Sequence, residues 1–417
     1  MAEHPETSTG AAAPALTARL GSALPFVGYA VAIVGLAYVL WKALAGGDPT
    51  DLKFIWMAGR IWADGGNPYD TALFIETARE VNKSGALPTF FPYPPQWWPF
   101  ATGIEGQSLD AVAMLWRLAT APLLIATVAL VYASIPADRR YGMPVAAFFL
   151  GLGCLMSAVP FTIALTQTAI VITFGAGLFV YGFVRQHFAP TAAGLFILAL
   201  KPSVGALFIP LILFLPAPML TIAVLAGALG IATLPGLLSI GLIPVIEGYV
   251  DVVSNYATHD VNKPHSITGL QHILWRAGTT LPGSVSVLIG MAALGALAFA
   301  WHRLAPAAPA RAQEQRLFFV TLYGAGVLAF APLHVYDFVL LIPLLVAAPA
   351  LRPLEAGALG LAFLAVMRSH NVALITGLRS WESPYAPGTT IDSIAAVLLF
   401  AVLLLATVMR LSRRTTR

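Results

Sequence analysis

The sequence predicts an all-α polytopic membrane protein, and its composition and its apolar runs both point to this fold class. Hydrophobic residues make up 58% of the 417 residues, charged residues only 10%, and the mean hydropathy is +0.81. Soluble domains carry about 25% charged residues. Apolar runs that can cross a hydrocarbon core of about 30 Å recur along the whole length. We predict twelve spans, over residues 24–45, 109–135, 142–159, 166–184, 190–201, 203–216, 219–244, 283–302, 315–332, 336–351, 354–368 and 390–410.

The distribution of basic residues predicts the orientation of these spans, because cytoplasmic loops carry an excess of Lys and Arg. With the N-terminus inside, the inner segments hold 12 Lys/Arg and 5 Asp/Glu, and the outer segments hold 11 and 14. We therefore expect a multi-pass protein of the cytoplasmic (inner) membrane with both termini in the cytoplasm. The expected parts are a disordered cytoplasmic tail (1–23), one transmembrane domain (24–410) with outer loops at 46–108 and 245–281, and a basic tail (411–417).

A cleaved secretory signal peptide is the alternative for the N-terminal region, since Ala43-Leu44-Ala45 resembles a cleavage site. The apolar stretch from Leu24 to Trp41 is longer than the hydrophobic part of most signal peptides, and Trp41-Lys42 fits poorly beside a cleavage site. An uncleaved first helix is favoured.

Several classes of chemistry lack their sequence signatures. The single cysteine, Cys154, lies inside a predicted span and says nothing about the redox compartment. The chain has no Walker A loop, no HExxH motif, no Cys/His metal spacing and no DxD pair, so we predict no metal and no cofactor. Its basic residues are dispersed on the predicted inner side, which topology explains, and no nucleic-acid partner is expected.

Most of the polar chemistry lies in the first outer loop, over residues 48–98. The run from Asp51 to Asp64 has helical apolar spacing and predicts an amphipathic helix in the membrane interface. Asp51 falls in its first turn, where it is either a helix cap or a functional carboxylate. Asp70 is expected to cap a second interfacial helix. The aromatic and proline segment 90–98, which includes Tyr93, is either a membrane-anchoring belt or a wall for a sugar or prenyl chain.

Polar residues also stand at two breaks between apolar runs. Lys201 precedes Pro202 between two short runs, and charged residues at such breaks are commonly functional, although a lysine can also extend to the headgroups. His334, Tyr336 and Asp337 lie at a second break on the same predicted side. Asp337 is expected to orient His334, to pair with Lys201 or Arg60, or to cap the following helix.

Four stretches, taken in order, resemble glycosyltransferase family 87, the polyprenyl-phosphate-mannose-dependent α-mannosyltransferases with the GT-C fold. They are DLKFIWMAGRIWADGGNPYD with FPYPP in the first outer loop, Leu200-Lys201-Pro202, His265-Ser266-Ile267-Thr268-Gly269-Leu270 with Arg276, and Ala331-Pro332-Leu333-His334-Val335-Tyr336-Asp337. The chain departs from the family pattern at His265, where Gln is usual, and at Ala331, where Ser is usual. Leu165-Thr166-Gln167-Thr168 is only loosely similar to a further family segment.

The resemblance implies a GT-C fold with about twelve transmembrane helices and interfacial helices in the first outer loop. It implies transfer of a sugar from a polyprenyl-phosphate donor to a glycan or glycolipid acceptor, on the outer face and with inversion. Asp51 is then the general base, and Lys201 and His334 bind the donor phosphate. Tyr336, Asp337, Arg60 and Tyr93 support them. Arg276 and His265 are further phosphate-binding candidates, or belong to a solvated loop. A lipid or small-solute transporter, or a transferase of another sugar such as a pentose, is the alternative.

Overall fold

The computed structural model describes residues 12–81, 89–215, 217–304, 312–377 and 388–415, and side chains from residue 25 to residue 410 within them. This part of the chain is helical, and its one extended pairing is an isolated antiparallel bridge between Thr268 and Leu333. The α-helices are α1 (Ala12–Ala45), α2 (Thr50–Ala63), α3 (Thr71–Val81), α4 (Trp98–Ile104), α5 (Leu109–Ser134), α6 (Met143–Cys154), α7 (Ala158–Ala164), α8 (Ala169–Arg185), α9 (Phe188–Ala199), α10 (Pro202–Ile212), α11 (Pro218–Ile240), α12 (Leu242–Thr258), α13 (Leu270–Arg276), α14 (Gly283–Leu304), α15 (Ala312–Phe330), α16 (Leu341–Ala347), α17 (Pro353–Met367), α18 (Ser369–Ile375) and α19 (Thr389–Thr415). Short 3-10 helices cover Pro95–Trp97, Ala137–Arg139, Asp260–Asn262, Val335–Leu340 and Ala348–Ala350.

A helix occupies each of the twelve predicted spans, but their lengths differ. Among the described residues, five helices are long and apolar enough to cross a membrane, namely those of Pro25–Ala45, Leu109–Ser134, Pro218–Ile240, Gly283–Arg303 and Thr389–Arg410. Two bent pairs, α6 with α7 (58°) and α17 with α18 (65°), raise this number to seven if each pair is one span. The protein is therefore an all-α, multi-pass membrane protein, whereas the twelve-span topology stays a prediction.

The ends of the chain differ from the predicted tails. Helix α1 already begins at Ala12, so residues 12–23 of the expected disordered tail are helical, and residues 1–11 lie outside the described part. At the other end α19 runs to Thr415, into the segment expected to be a basic tail.

The two ends of the helix bundle have different chemistry. Helix α8 starts just after Gln167 and ends at Arg185, and its 17 residues separate these points by about 25 Å. Near Arg185 lie the ion pair of Arg139 with Glu314, at 3.4 Å, and the hydrogen bond from Arg316 to the Val184 carbonyl. These residues all belong to the predicted inner side. The other end carries the first outer loop.

One expectation about the first outer loop is wrong. Helix α2 forms as predicted, but its apolar face does not lie on the membrane, because Ile55, Ala58, Ile61 and Trp62 are buried inside the protein. Helix α4 packs so closely on α2 that a Cβ at Gly59 would lie 2.1 Å from the Ala101 carbonyl oxygen. The amphipathic pattern was correct, but neighbouring segments of the chain cover the apolar face.

Candidate active site

Asp51, in the first turn of α2, contacts the break between helices α7 and α8. Its backbone N–H donates to the carbonyl of Leu165, at 3.3 Å, in the short break between α7 and α8. At the centre of this break Thr166 adopts a positive φ of 49°, a conformation that costs free energy for a β-branched residue and persists only where the surroundings fix it. The break thereby turns the next residue, Gln167, toward the Asp51 carboxyl, which accepts a side-chain hydrogen bond from it.

The surroundings of Asp51 favour its protonated form. Pro49 is the N-cap of α2, with no side-chain cap hydrogen bond, so Asp51 does not serve as the cap. Desolvation raises the pKa of Asp51 from 3.8 to about 7, with a smaller contribution from the nearby Asp337. Hydrogen bonds from Tyr93 and Gln167 and the charge of Lys201 act in the opposite direction. A carboxyl that titrates near neutrality is suited to general-base chemistry.

Lys201 and Asp337 form a buried ion pair next to this carboxyl. The break between α9 and α10 leaves Lys201 extended, and Pro202 begins the next helix. The lysine Nζ lies 2.5 Å from Asp337 Oδ1, and the Asp337 side chain is only 1% exposed. The same Nζ lies 5.7 Å from the centre of the Tyr336 ring. Two of the predicted roles of Asp337 are thus observed: pairing with Lys201, and capping, because its Oδ2 accepts from the His334 backbone N–H at 2.9 Å.

His334 is held through both of its ring nitrogens. Its Nε2 lies 3.2 Å from Asn262 Oδ1, and the Asn262 Nδ2 donates to the Tyr256 carbonyl at 2.8 Å, which fixes the orientation of the amide. The other ring nitrogen accepts from the Asp337 backbone in a capping box. This chain of bonds assigns the neutral tautomer with the proton on Nε2. Burial lowers the pKa of His334 to about 4, in agreement with a neutral ring.

An aromatic wall, formed by Tyr69, Phe91, Tyr93 and Trp97, closes one side of the site. The Tyr69 hydroxyl donates to the Tyr93 carbonyl at 2.8 Å, and the Trp97 indole N–H donates to the Leu200 carbonyl at 3.1 Å, next to Lys201. Phe91 and Trp97 are buried, so this segment is a wall inside the protein. Burial and the nearby Asp51 raise the pKa of Tyr93 well above 10, and its protonated hydroxyl donates to that carboxyl.

The other three predicted site residues, Arg60, Arg276 and His265, contact aromatic side chains. Arg60 stacks on the Trp56 ring at 5.2 Å, and nine residues along α2 from Asp51 correspond to about 14 Å. Arg276 is exposed at the end of α13, beside the ring of Trp275. The His265 ring is 5.9 Å from the same indole. The structure places Asp51, Tyr93, Lys201, His334, Tyr336 and Asp337 together, and it shows no contact of Arg60 with them.

Sequence reasoning missed the residues that orient the central side chains. Gln167 entered only as part of a loose similarity, and Asn262 and Tyr256 were not singled out in the outer loop 245–281. A single glutamine between two threonines, and a single asparagine in a polar loop, carry no spacing signal. What could have identified Gln167 is its position at the break between two apolar runs, as for Lys201.

Nothing in the described part of the chain suggests a metal site, since no group of three or more His, Cys, Asp or Glu side chains could hold an ion. Comparison with models of protein families, with curated proteins and with solved structures finds no match to this chain. The functional assignment therefore depends on the geometry of the site and on the residues that resemble glycosyltransferase family 87.

Proposed function

We propose that this chain is an integral-membrane glycosyltransferase of the GT-C type. It transfers a sugar, with mannose as the first candidate, from a polyprenyl-phosphate donor to a hydroxyl of a glycan or glycolipid acceptor, and it inverts the anomeric carbon. The observation that carries the proposal is the position of Asp51, a carboxyl with a pKa of about 7, beside the ion pair of Lys201 with Asp337.

Asp51 fits the role of the general base. In the proposed step the acceptor hydroxyl gives its proton to the Asp51 carboxylate while its oxygen forms a bond to the anomeric carbon. The bond from that carbon to the phosphate oxygen breaks, and its electron pair leaves with the polyprenyl phosphate. Because this leaving group is already a stable monoester anion, it needs cationic stabilisation rather than a general acid. Hydrogen bonds from Tyr93 and Gln167 hold the base in one orientation.

Lys201 fits the role of the phosphate-binding cation. Its Nζ has three N–H donors, of which one reaches Asp337, so the others are available to a phosphate oxygen. Asp337 has a positioning role, because the ion pair at 2.5 Å holds the ammonium group at the centre of the site. His334 binds the phosphate through its Nε2–H, which also donates to Asn262 Oδ1. As a neutral ring it contributes a hydrogen-bond donor and no charge.

The location of the site fits a donor dissolved in the membrane. Asp51, Lys201 and His334 all lie at the N-terminus of a helix, at the end of the bundle opposite Arg185 and Arg316. With the basic end in the cytoplasm, as the positive-inside rule predicts, the site faces the periplasm or the cell exterior. An amphiphilic donor reaches such a site from the leaflet, and a polar acceptor reaches it from the water.

Two other functions compete with this proposal. A transferase of another sugar, such as a pentose, uses the same base and cation, and differs only in the sugar that it accepts. A transporter would use Asp51, Lys201 and Asp337 as an ion or proton relay, and transporters of that kind place their sites near the midplane of the bilayer. The placement at one end of α8 favours the enzyme.

The proposal is tested by incubating the purified, reconstituted protein with labelled polyprenyl-phosphate sugars and a membrane lipid extract. We expect a labelled glycan or glycolipid with the mannose donor, and none with the Asp51→Asn variant. An Asp51-dependent product with a different donor would change only the sugar. If no donor gives an Asp51-dependent product, while the protein carries a lipid or solute across vesicles, the transporter is the correct function.

A further inference from the structure

Helix α12 (Leu242–Thr258) presents three different faces, although the sequence predicted only an outer loop here. Val245, Tyr249, Val252 and Tyr256 face the protein: Val245 and Val252 are each 2% exposed, and the Tyr249 ring lies 5.4 Å from that of Tyr69. Helix and wall are in close contact, since a Cβ at Gly248 would lie 2.8 Å from the Cβ of Tyr69. This first face fixes α12 on the aromatic wall.

The second face is an uncovered apolar stripe. Ile243, Ile246, Val250 and Val253 recur at intervals of three and four residues, and they are 67%, 50%, 55% and 39% exposed. The third face is polar, with Glu247, Asp251 and Ser254 exposed to the surroundings. Because successive residues are rotated by about 100°, the stripe lies between the buried face and the polar face and borders both of them. This is the pattern of a helix at a membrane surface.

The exposed apolar surface of the preceding helix, α11, indicates that the stripe is covered by lipid. Helix α11 is one of the candidate membrane spans, and Ile231, Leu234 and Leu238 on it are 75%, 49% and 77% exposed. It ends at Ile240, and Gly241, with a positive φ of 98°, joins it directly to α12. The first turn of α12 therefore lies where the span leaves the hydrocarbon. Its apolar stripe follows the exposed apolar residues of α11 directly along the chain, and Glu247 and Asp251 lie on the polar face beside it.

We propose that α12 is a membrane-surface helix, with its stripe immersed in the acyl chains of the leaflet on the Asp51 side. Its last turn and the 3-10 helix that follows carry Tyr256 and Asn262 to His334. The leaflet thus supports, through one rigid helix, two residues that line the site. This inference concerns the lipid bilayer as partner and does not depend on the sugar or on the reaction.

The test is site-directed spin labelling, for which the chain is well suited because its one cysteine, Cys154, is buried. Single cysteines replace Ile246, Val250 and Val253 on the stripe and Glu247, Asp251 and Ser254 on the polar face. The protein is reconstituted in lipid nanodiscs. We expect the stripe positions to collide with oxygen and to be inaccessible to a water-soluble nickel chelate, and the polar positions to show the reverse.

Two results would overturn the proposal. Equal access of the nickel chelate to both faces would place the stripe in water. Exclusion of both oxygen and nickel chelate from the stripe would mean that protein covers it, as in a contact with a second copy of the chain. Circular dichroism and elution volume of each labelled variant show whether it is folded, and a second set of labels at Ile231 and Leu238 of α11 gives the reference for a lipid-facing position.

Discussion

Replacement of Asp51 by asparagine is expected to change activity and stability in opposite directions. Asparagine has nearly the same shape as a protonated aspartate but cannot accept the acceptor's proton. Loss of a general base typically costs about 100- to 10,000-fold in rate. The same substitution removes a carboxyl whose ionisation is unfavourable in the folded protein, since the pKa of Asp51 is raised from 3.8 to about 7. The variant should therefore be inactive and more stable than the wild type above neutral pH.

The size of the stabilisation follows from the pKa. A rise of about three units corresponds to about 4 kcal/mol of penalty on the ionised form, and solvent at this half-buried side chain reduces it to about 2 kcal/mol. Between about pH 4 and pH 7 the folded protein keeps a proton that the unfolded chain has lost, so wild-type stability falls as the pH rises through this range. The variant lacks this dependence. Its advantage should be near zero at about pH 4 and fully present at about pH 8.

Thermal unfolding in detergent at about pH 5 and about pH 8, together with transfer rates across the same range, measures both effects. We expect the Tm advantage of Asp51→Asn to grow from the lower to the higher pH, and the wild-type rate to rise with a midpoint near pH 7. Asp64→Asn is the matched control, because Asp64 is exposed at the other end of α2. An active variant, or one with no advantage at about pH 8, would refute the reasoning.

Three further substitutions test the neighbours of Asp51. Lys201→Met leaves Asp337 buried without its partner and should cost about 3–5 kcal/mol of stability; adding Asp337→Asn should restore the Tm but not the activity. Tyr93→Phe removes a hydrogen bond to the carboxylate, so the midpoint of the pH–rate profile should rise by about one unit; an unchanged midpoint contradicts this contact. Asn262→Asp places a carboxylate against the imidazole, which should raise the pKa of His334 and add an ionisation to the profile; the exposed Asn255→Asp should not.

Periodicity and composition were enough to predict most of the helices. Each predicted span coincides with a helix, because apolar runs and their Pro, Gly and charged boundaries are local features. Asp70 caps α3 as expected, through bonds to the N–H groups of Ala72 and Leu73. The number of crossings was harder to predict, since an apolar helix of 10–17 residues, such as α9 or α10, can be buried in protein as well as in lipid.

Tertiary contacts explain what the sequence could not predict. The apolar face of α2 looked membrane-facing because amphipathicity does not say what covers a face, and α4 covers it. The break at Lys201 predicted a charged site, but its partner Asp337 is 136 residues away, and pairing was one alternative among several. Arg276 and His265 had the right residue types, yet the contacts seen for both side chains are with the indole of Trp275. Gln167 and Asn262 carried no pattern at all.

The most direct test of the central claim is the anomeric configuration of the product. A single base at Asp51, with the leaving phosphate held by Lys201, requires a single displacement at the anomeric carbon. Nuclear magnetic resonance of the glycan or glycolipid formed from a donor of known configuration should therefore show inversion, and Asp51→Asn should form no product. Retention of configuration would require a covalent sugar–enzyme intermediate or a second nucleophile, and would contradict the role of Asp51 as the base.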